Sequence, residues 1–186
     1  MPKKIPNGIP DTIVVGDTSA LISLGVGLVL KDCLKISKIV VPKKVNQELE
    51  EMSQFNDEDG SAAKETLDLI LKGKIEVLTV KNIAKVRALV SANTRIDNGE
   101  AEALILAQEN SIPIVITDDF RSLSKLKEVS ENVEIHLSIY LLSRLVLENI
   151  ISIKDAKESL NRIASLRTWE SGVIYRFAMK YIDDLN

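Results

Sequence analysis

Thr-Ile-Val-Val-Gly-Asp-Thr-Ser-Ala-Leu, residues Thr12–Leu21, is the stretch from which the rest of the chain is read. Ile13, Val14 and Val15 make a short, wholly apolar, β-branched run, and a glycine and an acid follow at once. Such a run suits a strand buried on both faces, as in the middle of a parallel sheet. A carboxylate at the carboxyl end of a central strand stands where open α/β sheets place their ligands. Asp17 is therefore the first candidate for a working residue, and the other candidates are its partners.

Outward from this run the pattern repeats. Ala20–Leu30 reads as a mostly buried helix capped by Asp17, Thr18 or Ser19. Lys38–Val41 is a second strand, closed by Pro42, and Lys43–Met52 is a helix with Val45, Leu49 and Met52 at helical spacing. An acidic loop, Gln54–Gly60, leads to an amphipathic helix, Ala62–Lys72, stopped by Gly73. Ile75–Val80, Pro113–Thr117 and Val133–Leu137 are further strands. Ala84–Ala92, Gly99–Asn110 and Phe120–Val129 are the helices between them. Strands alternating with helices imply an α/β fold on a parallel sheet with right-handed crossovers. From Ser138 on only helical patterns occur: Ser138–Leu147, Ser152–Leu166 and Glu170–Asp184. The expected organisation is a flexible leader over residues 1–11, a sheet domain over 12–137 and a helical extension over 138–186 packed on it. In the last helix Trp169, Val173, Phe177 and Tyr181 recur at steps of four. That stripe predicts core, with a homodimer or partner surface as the open alternative.

Composition removes several function classes. The chain has 186 residues, 45% of them hydrophobic, which suits one domain with an ample core. A net charge of −3 argues against coating nucleic acid by bulk positive charge. Cys33 is the only cysteine and His136 the only histidine, so thiolate cages, Cys–His pairs and multi-histidine zinc sites lack parts. Between Ile13 and Leu30 the glycines and Asp17 break the apolar run, so no membrane span is expected. A soluble, cytoplasmic protein is the expectation.

Acids stand after two strands: Asp17 after the first, Asp118 and Asp119 after the fourth. If those strands are neighbours, these carboxylates converge at one edge of the sheet. Glu48 and one acid of Gly-Glu-Ala-Glu-Ala could complete the group. Carboxylates this close raise one another's pKa unless a cation sits among them. Oxygen donors without Cys or His favour Mg²⁺ or Mn²⁺. Such a pocket suits metal-assisted attack of water on a phosphodiester. Glu100 and Glu102 point roughly 200° apart on a helix, so one of them is expected at the site. Asp97 and Glu100 have capping-box spacing, which accounts for Glu100 without a metal. Glu102 borders the face that packs through Ala103, Leu106 and Ala107, and so ranks first. Of the pair Asp118 and Asp119, Asp119 is the expected cap of the Phe120 helix. Arg121 and Lys125, four apart on that helix, are candidates to hold backbone phosphates. A solvated charged face is the alternative for both.

Val-Gly-Asp-Thr-Ser-Ala-Leu-Ile, Val-Pro-x-x-Val-x-x-Glu-Leu, Gly-Glu-Ala-Glu-Ala-Leu-x-Leu-Ala and Val-Ile-Thr-Asp-Asp resemble, in order, the four signature regions of PIN-domain nucleases. The resemblance covers roughly Ile13–Leu137. It implies a three-layer α/β/α sandwich around a four- to five-stranded parallel sheet, an acidic pocket for Mg²⁺ or Mn²⁺, and ribonuclease activity on RNA. It assigns the acids to Asp17, Glu48, Glu102 (five before Ala107) and Asp119 (two after Thr117), with Asp118 as a close alternate. Asp17, Glu102 and Asp119 are the implied principal metal ligands. The Gly-Glu-Ala-Glu form and the added helices look like an uncharacterised prokaryotic branch. Many members carry aspartate where Glu102 stands. Two other functions stay open: a PIN-like binding module with weak catalysis, and a toxin neutralised by a small antitoxin-like partner.

Overall fold

The computed structural model describes residues 12–169 and 172–185. The predicted leader lies outside them, as does the start of the last predicted helix. Five parallel strands make one sheet in the order β3-β2-β1-β4-β5. They are β1 (Thr12–Gly16), β2 (Ser37–Pro42), β3 (Glu76–Leu78), β4 (Ile114–Ile116) and β5 (Glu134–His136). The helices are α1 (Thr18–Val26), α2 (Leu30–Ile36), α3 (Lys43–Met52), α4 (Glu58–Leu71), α5 (Ile83–Ala92), α6 (Asn98–Glu109), α7 (Phe120–Val129), α8 (Ser138–Leu147), α9 (Ile153–Leu166) and α10 (Val173–Asp183).

β1 is the central strand, as its uninterrupted apolar run predicts. It pairs with β2 on one side, Val14 opposite Ile39, and with β4 on the other, Val14 opposite Ile114. Successive residues point to opposite faces, so Val14 and Val15 enter two different cores. Val14, Ile39, Val41, Ile114 and Ile116 pack with apolar residues of α1, α2, α3, α4, α8, α9 and α10. Val15, Val40, Val115 and Ile135 pack with those of α5, α6 and α7. This is a three-layer α/β/α sandwich. The helices after Ser138 share the first core directly, through Leu142, Leu145, Leu160, Ile163 and Ile182, all fully buried.

Three local readings change. The predicted helix Ala20–Leu30 is two helices, parted where Leu28 takes a left-handed φ of 59°. In α1 a Cβ on Gly25 would meet the Ala62 Cβ at 2.8 Å, so glycine lets α1 and α4 touch. α4 starts earlier than expected because Asp57 caps it, its Oδ1 accepting from the Gly60 N–H at 2.8 Å. The aromatic stripe of α10 is not core. Val173, Phe177 and Tyr181 are exposed, at 56%, 69% and 51%, while Ala178 and Ile182 turn inward. Of the predicted stripe only Trp169 is buried. No helix among the described residues is long and apolar enough to cross a membrane.

Candidate active site

In a parallel sheet each crossover helix starts at the carboxyl edge, so acids that cap helices gather there. Asp17 ends β1 and caps α1, accepting from the Ser19 N–H at 3.4 Å. Asp119 follows β4 and caps α7, accepting from the Arg121 N–H at 2.8 Å. Asp97 caps α6, accepting from the Glu100 N–H at 2.9 Å. The positive ends of three helices thus face this acidic edge and offset its charge.

One cleft of about 190 Å³ is lined by Asp17, Glu48, Asp97, Glu100 and Asp119, with Thr18, Ser19 and Arg167. β1 and β4 are hydrogen-bonded neighbours, and the Asp17 N–H donates to the Ile116 carbonyl at 2.9 Å. The Asp17 Oδ2 accepts from Ser19 Oγ at 2.7 Å and from Thr117 Oγ1 at 3.1 Å. Burial pushes its carboxyl up to about 6, and the Asp97 and Glu48 charges add to this against those two hydrogen bonds. Glu48 reaches the cleft from α3, its Oε2 accepting from Thr18 Oγ1 at 2.5 Å and its Oε1 lying 3.5 Å from Lys44 Nζ. Hydrogen bonds from Arg121 hold the Asp119 carboxyl below the usual range. The Arg121 Nη2 lies 2.6 Å from Asp119 Oδ2.

The two glutamates of Gly-Glu-Ala-Glu are placed opposite to the expected ranking. Glu100 lines the cleft, 2% exposed, with its capping box to Asp97 intact and its Oε1 bonded to Ser122 Oγ. Burial pushes it up to about 7, with the Asp97 and Asp17 charges adding. A cap and a cleft carboxylate are not exclusive roles. Glu102 is not among the residues lining the cleft, and its Oε2 accepts from the Lys44 N–H at 3.1 Å. It thereby serves α3, whose N-cap Pro42 offers no side-chain bond. Asp118, also expected near a metal, is instead a buried anchor for α8. It accepts from the Ser138 N–H at 2.8 Å and Ser138 Oγ at 2.7 Å. Burial raises its pKa, against bonds from Ser23 and Ser138 and the Arg167 charge. Of the proposed phosphate grips, Arg121 stands at the cleft edge forked on Asp119, and Lys125 pairs with Glu128 at 2.6 Å.

Three residues escaped sequence reasoning as site residues, Asp97 and Arg167 in the cleft lining and Thr117 behind it on Asp17. Asp97 was visible only as a cap, although a cap of a crossover helix belongs at this edge. Thr117 was visible as the strand end. Arg167 carried no motif.

The donor set is all oxygen, which matches a hard divalent cation rather than zinc. Two of its members, Asp17 and Glu100, are raised by burial and by neighbouring acids, a strain that a cation relieves. As they stand, the described residues include no group of three His, Cys, Asp or Glu able to hold a metal ion. The carboxylates share a cleft while serine, threonine, arginine and backbone donors engage them.

A family model described as a PIN domain matches residues 13–184, helices after Ser138 included. Among curated proteins and among solved structures no match was found.

Proposed function

Because the chain belongs to the PIN-domain family, whose members are generally nucleases, we propose that it is a Mg²⁺- or Mn²⁺-dependent endoribonuclease working at the Asp17–Asp119 cleft. The observation that carries this is the convergence of five carboxylates on one cleft at the carboxyl ends of β1 and β4. Asp17 and Asp119 would hold the ion from adjacent strand ends, with Glu48, Asp97 and Glu100 as the remaining oxygen donors of the cleft. When bound there, such an ion supplies an acidified water and a counter-charge for the phosphate. Ser19 and Thr117 keep the Asp17 carboxylate aimed from the end of β1. Thr18 and Lys44 do the same for Glu48. Arg121 faces solvent beside Asp119, 84% exposed, where a backbone phosphate can reach it.

One observation favours a second reading, a PIN-fold module that binds RNA or protein without turnover. The carboxylates are already engaged by protein donors, Asp119 by Arg121 above all. The experiment that separates the two is cleavage of end-labelled RNA with Mg²⁺ or Mn²⁺ by the wild type and by Asp17→Asn. The nuclease reading expects cleavage only by the wild type and none in a chelator. Equal cleavage by both proteins removes it. RNA or protein capture without cleavage under either ion supports the binding module.

A further inference from the structure

Five carboxylates line the cleft, and among the described residues Arg167 is the only cation in its lining. A phosphodiester is itself anionic, so its approach needs positive charge beside those acids. Arg167 is the C-cap of α9, far beyond the strands in sequence. Its Nε donates to Ser23 Oγ at 2.9 Å and its Nη2 to the Ser19 carbonyl at 2.5 Å. Both acceptors lie on α1, the helix that starts from Asp17. Thr168 then takes a left-handed φ of 56°, and the Trp169 N–H returns to the Ala164 carbonyl at 2.8 Å, closing α9 in a Schellman turn. Trp169 packs edge-on against Phe120, ring centroids 5.1 Å apart. Phe120 is the first residue of α7 and the chain neighbour of Asp119.

The turn Arg167–Trp169 is thus wedged between the two helices that begin at Asp17 and Asp119. The two hydrogen bonds fix the guanidinium plane but do not use it up. A guanidinium has five N–H donors, and Nη1 makes no hydrogen bond among the described residues. We propose that Arg167 is a substrate-binding residue of this cleft, receiving a non-bridging oxygen of the RNA backbone beside the scissile bond. The inference rests on the nuclease reading above. It makes the helices after Ser138 part of the site, since one of them supplies a residue that the sheet domain lacks.

The test is steady-state cleavage of a single-stranded RNA oligonucleotide by the full chain in Mn²⁺, at several salt concentrations, with circular dichroism as a folding control. Arg167→Gln is expected to raise KM roughly 10-fold or more with kcat little changed, and to flatten the salt dependence by about one phosphate contact. Arg167→Lys keeps the charge but not the fork, so it is expected to keep the wild-type salt slope with an intermediate KM. Should Arg167→Gln fail to fold, the lysine variant decides by that same pattern. A wild-type KM and salt slope in the folded glutamine variant overturns the proposal. So does a wild-type KM in the lysine variant, or a loss confined to kcat. Absence of cleavage by the wild type removes the nuclease reading instead, and this inference with it.

Discussion

The hydroxyl of Thr117 lies 3.1 Å from the carboxylate of Asp17, across two strands whose residues are separated by most of the sheet domain in sequence. The same oxygen accepts from the Asp119 N–H at 3.2 Å, so one buried side chain ties the two strand-end acids together. Thr117→Val keeps the shape and removes both bonds. It is expected to destabilise the protein by about 1–3 kcal/mol, because a buried carboxylate loses a donor and the half-buried Asp119 N–H its acceptor. Asp17 also loses a contact that favours its ionised form, so its carboxyl moves further up. Protons then compete longer with the metal, and the Mn²⁺ requirement should shift to higher pH. Thermal unfolding and Mn²⁺ titrations at pH 6 and pH 8 check both halves. A wild-type profile in each would show that Thr117 does not position Asp17.

Glu48 comes close to the start of α6 only because residue 99 is glycine. A Cβ there would lie 3.0 Å from Glu48 Oε2 and 3.1 Å from Oε1. Gly99→Ala therefore has two opposed effects. Replacing glycine inside a helix gains up to about 1 kcal/mol, while the Glu48 carboxylate must back away from the cleft. The side chain is flexible, so this movement costs little. The expected outcome is a protein as stable as the wild type, or slightly more so, with cleavage reduced several-fold. Reduced activity together with a large loss of stability would point to backbone damage instead.

Stability without metal should fall as pH rises through neutrality. The Asp17 carboxyl stands at about 6 and the Glu100 carboxyl at about 7, both above their ordinary values. The folded state then binds protons more tightly than the unfolded chain over that interval, so unfolding free energy drops with increasing pH. The loss begins at the ordinary carboxylate range and is complete above the raised values. Its size is up to ~3 kcal/mol for each of the two. Asp119 and Asp155, held low, contribute stability that is lost only in more acidic solution. The chelator-treated protein should melt at a higher temperature at pH 5 than at pH 8. Asp17→Asn should flatten that slope and raise the melting temperature at pH 8. A flat wild-type profile from pH 5 to pH 8 would rule out a buried acid pair of this kind.

The fold was readable because its signals are local. Ile13–Val15 is apolar on both faces, and β1 is the middle of the five strands, with two strands on each side and helices above and below. Asp17 and Asp119 were readable because a strand-end acid has few places to go. What failed depends on distant partners. Asp118 and Asp119 are adjacent, and which one faces the cleft is decided by Ser138, whose N–H and hydroxyl take Asp118 into the interior. Residues Val173, Phe177 and Tyr181 keep perfect helical spacing yet face outward, because α10 docks through Ala178 and Ile182. Arg167 reaches the cleft through a turn whose course no sequence pattern announces.

The glutamate pair gives the sharpest test of the site. Glu100 and Glu102 sit two residues apart on α6 and do different work. Glu100 lines the cleft and is tied to Asp97 and Ser122. Glu102 bonds the Lys44 N–H in the first turn of α3, the helix that carries Glu48. Glu100→Gln removes a cleft charge while keeping an oxygen for the capping box, so cleavage and Mn²⁺ affinity should fall at least 10-fold with folding preserved. Its relief of a buried charge should even stabilise the metal-free protein at pH 8, by the same linkage that governs Asp17. Glu102→Gln weakens one charge-assisted cap bond, worth about 1 kcal/mol. It should lower the melting temperature slightly and leave Mn²⁺ affinity near the wild-type value. Parallel melting curves and Mn²⁺ titrations on the two variants are sufficient. If Glu102→Gln were the variant that lost the metal, the helix face that α6 turns to the cleft would be the other one, and the third acid would be the residue that the signature spacing selects.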